Sequence, residues 1–194
     1  MVPLEFYRTY FPVKSASLLR ALASASVPAQ VHQGELLLRE GEPQTQLPLL
    51  VSGIIRGFYF DVNGQEITDC FAVRPGIPVA AGADFCRPSP IYLDALTDCE
   101  LMTIPTQEVV RLLDQYPELL RLYNQMLVDS FTMHWEIKTT LCRSTAMQRY
   151  QWFLRTYPGL IHRISSKCVA SFLGMTPVTL SRLRRALREQ QPEE

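Results

Sequence analysis

Apolar residues recur in two rhythms along this chain, and the change between them falls at Pro105. Before it, from about residue 31 to residue 104, short apolar runs at 35–39, 47–51, 54–60, 67–71, 92–96 and 100–104 are separated by Gly, Pro and Asn. Runs of roughly four to eight residues bounded by turn formers predict strands. Asp61-Val62-Asn63-Gly64 lies between two of them. An Asn-Gly step tolerates positive φ at both residues, so a hairpin is expected there. Many short strands of this kind predict an antiparallel sandwich or small barrel, a class that includes the β-roll of jelly-roll type. An amphipathic stretch at 15–25 predicts a helix packed against the start of the roll.

After Pro105 the period is helical. Residues 106–116 predict one short helix, and Pro117 suits the first turn of the next. That next helix, over 117–141, carries Leu120, Tyr123, Leu127, Ser130, His134, Ile137 and Leu141 at spacings of three and four. Such a heptad seam predicts a dimerisation helix, although a stripe packed within its own domain would give the same pattern. Residues 145–157 are amphipathic through Met147, Tyr150, Phe153 and Leu154, and Pro158-Gly159 ends them. The expected fold class is therefore α+β. A β-roll over 1–116 is followed by a long helix over 117–142 and a helical domain over 143–194. A chain of 194 residues, 47% apolar, can fill a full core and a smaller second one.

Residues 166–183 have the properties of a helix-turn-helix. Two helices joined by a tight turn need a small residue where they cross, a turn residue that accepts an unusual backbone, and an inward apolar set. Ala170, Gly174, and the group Val169, Leu173, Met175, Leu180 and Leu183 fit those roles. Ser165 and Thr176 are N-cap types for the two helices, and Pro177 suits the first position of the second. Thr179, Ser181, Arg182 and Arg185 are then expected to project outward, with Arg184 and Arg188 on phosphate or in water.

Net charge is zero but unevenly spread: nine basic and no acidic residues lie in 143–188, against ten basic and sixteen acidic residues in 1–142. A compact segment so unbalanced suits a polyanion, and phosphate backbone is the usual one. The five cysteines (Cys70, Cys86, Cys99, Cys142 and Cys168) form no C-x-x-C pair and read as free thiols, so no metal is expected. No window of roughly 18 apolar residues and no secretory signal pattern is found, and a cytoplasmic protein is expected. Without a His-x-His pair, an activated serine or a paired-carboxylate constellation, the chain does not read as an enzyme.

The order of β-roll, long helix and C-terminal helix-turn-helix resembles the Crp/Fnr family of bacterial regulators across nearly the full chain. The resemblance is carried by Gly34-Glu35-Leu36, Glu40-Gly41-Glu42, Leu50-Val51-Ser52-Gly53 and Ala95-Leu96-Thr97-Asp98-Cys99-Glu100-Leu101. Ala170-Ser171-Phe172-Leu173-Gly174-Met175-Thr176-Pro177 and Thr179-Leu180-Ser181-Arg182 continue it, and resemble a subgroup that ends soon after the recognition helix. It implies transcription regulation by a homodimer bound to double-stranded DNA, with RNA polymerase as a further partner. Implied DNA contacts are Thr176, Pro177, Thr179, Ser181, Arg182 and Arg185. Pro177-Val178 replaces the Arg-Glu pair with which the family's activator reads bases.

Family members that bind cyclic nucleotide use a glutamate for the ribose and an Arg-Ser pair for the phosphate. The corresponding stretch here has Val79-Ala80-Ala81 and Ser89-Pro90, so neither anchor is present and cyclic AMP in the usual mode is not expected. No cofactor is identified, and any effector is of unknown chemistry. Ala81, Phe85, Arg87, Ser89, His134 and Trp135 are the implied pocket residues. The plainer reading of the last pair makes His134 a seam residue and Trp135 core. A ligand sensor or protein-interaction scaffold that has lost specific DNA binding remains the alternative at this point.

Overall fold

The computed structural model describes residues 1–82, 84 and 87–189. They form two compact units, residues 1–59 with 69–129, and residues 60–68 with those from 130 onward. The first unit opens with helices α1 (Pro3–Tyr10) and α2 (Ala16–Ala25). Strands β1 (Val27–Val31), β2 (Leu36–Leu38), β3 (Gln46–Ser52), β4 (Ile55–Phe60), β5 (Glu66–Ala72), β6 (Tyr92–Ala95) and β7 (Cys99–Pro105) follow. Then come α3 (Thr106–Gln115) and the long α4 (Pro117–Arg143). The mixed fold class matches expectation. Helix α1 and strand β1 had no counterpart in the apolar rhythm.

The strands form two sheets, β1-β7-β3 and β2-β6-β4-β5. Strand β3 pairs antiparallel with β7, placing Leu50 beside Leu101 and Leu49 beside Met102. Successive side chains point to opposite faces of a strand. Leu50, Leu101 and Cys99 accordingly face a core between the sheets with Leu38, Ile55, Leu93 and Ala95. Leu47, Leu49, Val51, Met102 and Ile104 face a second core with Phe6, Tyr7, Leu18, Leu22 and Leu112. Burial on both faces is why 47–51 reads as an unbroken apolar run. Gly53, at φ +103°, leads from β3 towards β4, and a β-carbon there would lie 2.5 Å from Cys99 Sγ.

The β4–β5 hairpin forms where Asn63-Gly64 predicted it, but not by a two-residue turn. Only Gly64 of the pair has positive φ. Asp61 Oδ1 accepts from the Asn63 and Gln65 amides, each at 2.8 Å, and the Gln65 contact leads in holding this carboxyl below its usual range. The Asp61 side chain thus organises a wider loop.

In the second unit α4 ends at Arg143 and is followed by α5 (Ala146–Thr156), a 3₁₀ turn at Leu160–His162, α6 (Ser166–Phe172) and α7 (Pro177–Glu189). Thr145 and Gln148 form a reciprocal capping box at the start of α5. No helix among the described residues is long and apolar enough to cross a membrane.

Tyr7 is fully buried and its hydroxyl lies 2.6 Å from Ser26 Oγ. Ser26 Oγ already donates to the Leu22 carbonyl, so the Tyr7 hydroxyl is the donor between them. Desolvation pushes the Tyr7 pKa up to about 12. The folded state holds its proton more tightly than the unfolded one, so stability is flat below about pH 10 and falls as pH rises towards 12. The expected loss is on the order of 2–3 kcal/mol, measured by urea denaturation along a pH series. Tyr7→Phe should remove that alkaline slope.

Candidate nucleic-acid interface

The C-terminal hairpin of helices is built from its caps inward. Ser165 Oγ accepts from the Cys168 amide at 3.2 Å, opening α6. At the other end Gly174 has φ +60°. The Gly174 amide donates to the Ser171 carbonyl at 3.0 Å and the Met175 amide to the Ala170 carbonyl at 2.9 Å. This pair of bonds is a Schellman cap, and it closes α6 and turns the chain at once. Thr176 Oγ1 then accepts from the Thr179 amide at 3.1 Å, with Pro177 as the first residue of α7.

Ala170, Val169, Leu173 and Leu180 are fully buried, while Met175, Leu183 and Leu187 are half-buried. Beneath them Trp152 stacks on Phe172 with centroids 6.0 Å apart, and Phe153 and Tyr157 meet Phe172 at 5.8 and 5.7 Å. Edge and offset ring contacts of this kind add to the area they bury. Arg149 Nη1 donates to the Gly174 carbonyl at 3.3 Å, tying α5 to the turn.

Pro177, Val178, Ser181, Arg182, Arg185 and Arg188 are exposed on α7, whereas Thr179 is half-buried. The Thr176 hydroxyl is occupied as the cap and also lies 3.0 Å from that of Thr179. Arg185 Nε pairs with Glu189 Oε1 at 2.8 Å on the surface. Arg184 is half-buried and donates to Ser166 Oγ at 3.3 Å. Arg182 and Arg188 have no hydrogen-bond or ion-pair partner among the described residues. The outward face therefore offers two uncommitted guanidinium groups and one held only by an exposed pair, which is worth a few tenths of a kcal/mol or so.

One contact of this unit has no local sequence signal. Ser171 Oγ accepts from the Thr68 amide at 2.8 Å and donates to the Glu66 carbonyl at 2.9 Å. Lys167 Nζ lies 3.9 Å from the Glu66 carboxylate. The tip of the β4–β5 hairpin is thereby fastened to α6 across more than a hundred residues of sequence.

Within the first unit, Gln44, Ala81, Gly82, Asp84, Arg87, Pro88, Ser89 and Pro90 line a cleft of about 670 Å³. Its described polar groups are largely committed. Gln44 bridges the Val79 carbonyl and the Ala81 amide at 2.8 and 3.1 Å. Ser89 is buried, and its hydroxyl donates to the Ile91 carbonyl. Arg87 points outward and pairs with Asp84 at 3.3 Å. Phe85 lies outside the described residues.

Deeper in this unit, Arg56 on β4 stands opposite Asp94 on β6 in register. It meets that carboxylate through Nε at 2.9 Å and Nη2 at 2.6 Å, and its guanidinium lies 4.1 Å from the Phe58 ring centre. This arginine is buried yet neutralised, and the apolar runs gave no hint of it.

His134 and Trp135 belong to the second unit. Nδ1 of His134 donates to the Ser130 carbonyl at 2.8 Å. Trp135 is 56% exposed, so it is not core. Along α4, Ile137 is buried, Tyr123, Leu127 and Leu141 are half-buried, and Leu120 is exposed. The most exposed apolar side chains of the helix are Val128, Phe131 and Trp135, at 58, 72 and 56%. They too are spaced by three and four, one position on from Leu127, Ser130 and His134 in the seam read from sequence.

Residues 28–116 match the family model described as the cyclic nucleotide-binding domain. A search of the curated proteins finds no match. Among solved structures the chain resembles FixK2 from Bradyrhizobium japonicum, with a TM-score of 0.76 and 19% identity over 85% of each chain. It also resembles CLP, the c-di-GMP responsive global regulator of Xanthomonas campestris, with a TM-score of 0.75 and 15% identity over 93% of this chain and 96% of that one. A protein assigned to the Crp/Fnr family of transcriptional regulators, from Eubacterium rectale, gives a TM-score of 0.74 and 17% identity over 94% and 88%. At these identities the likeness is one of fold.

Replacing Ser171 by alanine removes both hairpin contacts and leaves the Thr68 amide without its acceptor. The expected cost is about 1–3 kcal/mol. Hydrogen exchange at the Thr68 amide should accelerate accordingly, while the core amides of α5 keep their protection.

Proposed function

We propose that this protein is a sequence-specific DNA-binding transcription regulator of the Crp/Fnr type, acting as a homodimer and controlled by an effector other than cyclic AMP bound in the usual mode. One observation carries the proposal: α7 stands on a turn packed through the buried Val169, Ala170, Leu173 and Leu180 and carries Ser181, Arg182 and Arg185 exposed. It does so in a segment, 143–188, with nine basic residues and no acidic one. A recognition helix entering the major groove contacts base edges with its first turns. Arg182 has the fork to meet a guanine edge in two hydrogen bonds. Arg185 exchanges the Glu189 carboxylate for a phosphate, and Arg188 reaches phosphate as a point of grip. Thr176 serves the helix as its cap and adds only what that geometry leaves free.

The regulator neighbours in fold support this reading, and so does the exposed stripe at Phe131 and Trp135 on α4. We assign that helix to the dimer interface. A two-fold dimer would set its recognition helices about 34 Å apart, on half-sites one helical turn from each other. The commitment of the buried Ser89 and Arg56 to partners within the chain supports an effector with no phosphodiester to anchor. Ala81, Arg87 and Ser89 would line its cleft.

Fluorescence anisotropy on a selected duplex tests the proposal. Arg182→Ala should weaken specific binding by about 10- to 100-fold for each half-site, while Arg188→Ala should weaken all duplexes alike and flatten the salt slope by about one phosphate contact per subunit. Unchanged DNA affinity in Arg182→Ala would instead favour a protein-interaction scaffold.

A further inference from the structure

On the premise that α7 reads DNA, we propose that Val178 is a specificity-determining residue that recognises a thymine through its C5-methyl group. Val178 is the second residue of α7 and is 60% exposed. A single exposed apolar side chain is ordinary on a protein surface. This one is distinguished by its company. Ser181 and Arg182, three and four residues on, share its face of the helix, and Pro177 beside it is exposed as well. With no acidic residue in 143–188, whatever the arginines of this face bind is anionic. The isopropyl group of Val178 therefore meets the same partner.

The partner's chemistry narrows what it can meet. In the major groove of duplex DNA the base edges present hydrogen-bond donors and acceptors, and one apolar group, the thymine methyl. Valine has no donor or acceptor with which to read the others, and it would leave them desolvated and unpaired. The neighbouring polar groups do not substitute for it. The Thr176 hydroxyl accepts from the Thr179 amide, and the Thr179 side chain is half-buried beside it. Four residues of helix rise about 6 Å, so the thymine should lie within about two base pairs of the position contacted by Arg182.

The test begins with a site selected by the intact protein from randomised duplex. Each thymine of that site is then replaced in turn by deoxyuridine, which deletes the methyl group and nothing else. At one position in each half-site the wild-type protein should lose about fourfold in affinity, the worth of one buried carbon. Val178→Ser should bind the thymine and deoxyuridine duplexes equally at that position, with an unchanged thermal melt because the side chain it replaces is exposed. The proposal is overturned if deoxyuridine is neutral at every thymine for the wild-type protein, or if Val178→Ser keeps the full discrimination. Failure to select any site would overturn the DNA-binding reading along with it, whereas a selected site insensitive to every methyl deletion overturns only the thymine contact.

Discussion

At Gly174 the backbone takes a φ of +60°, and the Met175 amide reaches back to the Ala170 carbonyl. The direction of α7, and so the identity of its outward residues, follows from that turn. The same geometry buries Leu180 and leaves Val178, Ser181, Arg182 and Arg185 to solvent. A β-carbon at Gly174 would be strained by its φ and would sit 3.1 Å from Arg149 Nη1, the group that fastens α5 to the turn. Ala170, with no exposed surface, keeps the crossing helices close. Local backbone permission and close packing thus act on the same few residues, as a fixed recognition surface requires.

Arginine serves two opposite ends in this chain. Arg56 is buried between strands, meets Asp94 in two hydrogen bonds and lies against the Phe58 ring. Breaking one partner of such a pair leaves a buried charge and costs about 3–5 kcal/mol, so Arg56 is held in place by its surroundings. The guanidinium groups of α7 stand in water, where the Arg185 pair with Glu189 contributes little and exchanges readily. Fixed charge inside the roll and available charge outside it agree with the proposed binding of DNA by the second unit.

The features legible in the sequence are those written in nearest neighbours. Ser165 and Thr176 cap the helices they precede, Pro117 opens α4, and the Asn63-Gly64 step lies in a hairpin. Features that depend on distant partners were not legible. The Ser171 contacts with Glu66 and Thr68 span 105 and 103 residues, and Arg56 meets Asp94 across 38. Helix α1 is short, and the periodicity of eight residues is too little to announce it. On α4 two stripes coexist: Tyr123, Leu127, Ile137 and Leu141 are half-buried or buried and dominate the pattern, while Phe131 and Trp135 are exposed. Of the candidate site, Arg182, Ser181 and Arg185 were legible from amphipathicity and Thr176 as a cap, whereas the half-burial of Thr179 and the pairing of Arg185 with Glu189 needed the geometry.

The central claim is that α7 reads sequence as well as charge. It is tested most directly by the ratio of dissociation constants of the intact protein for a selected palindromic duplex and a scrambled duplex of equal length, at physiological salt. The account predicts a ratio of at least about a thousand. Equal, weak and steeply salt-dependent binding to both would contradict it.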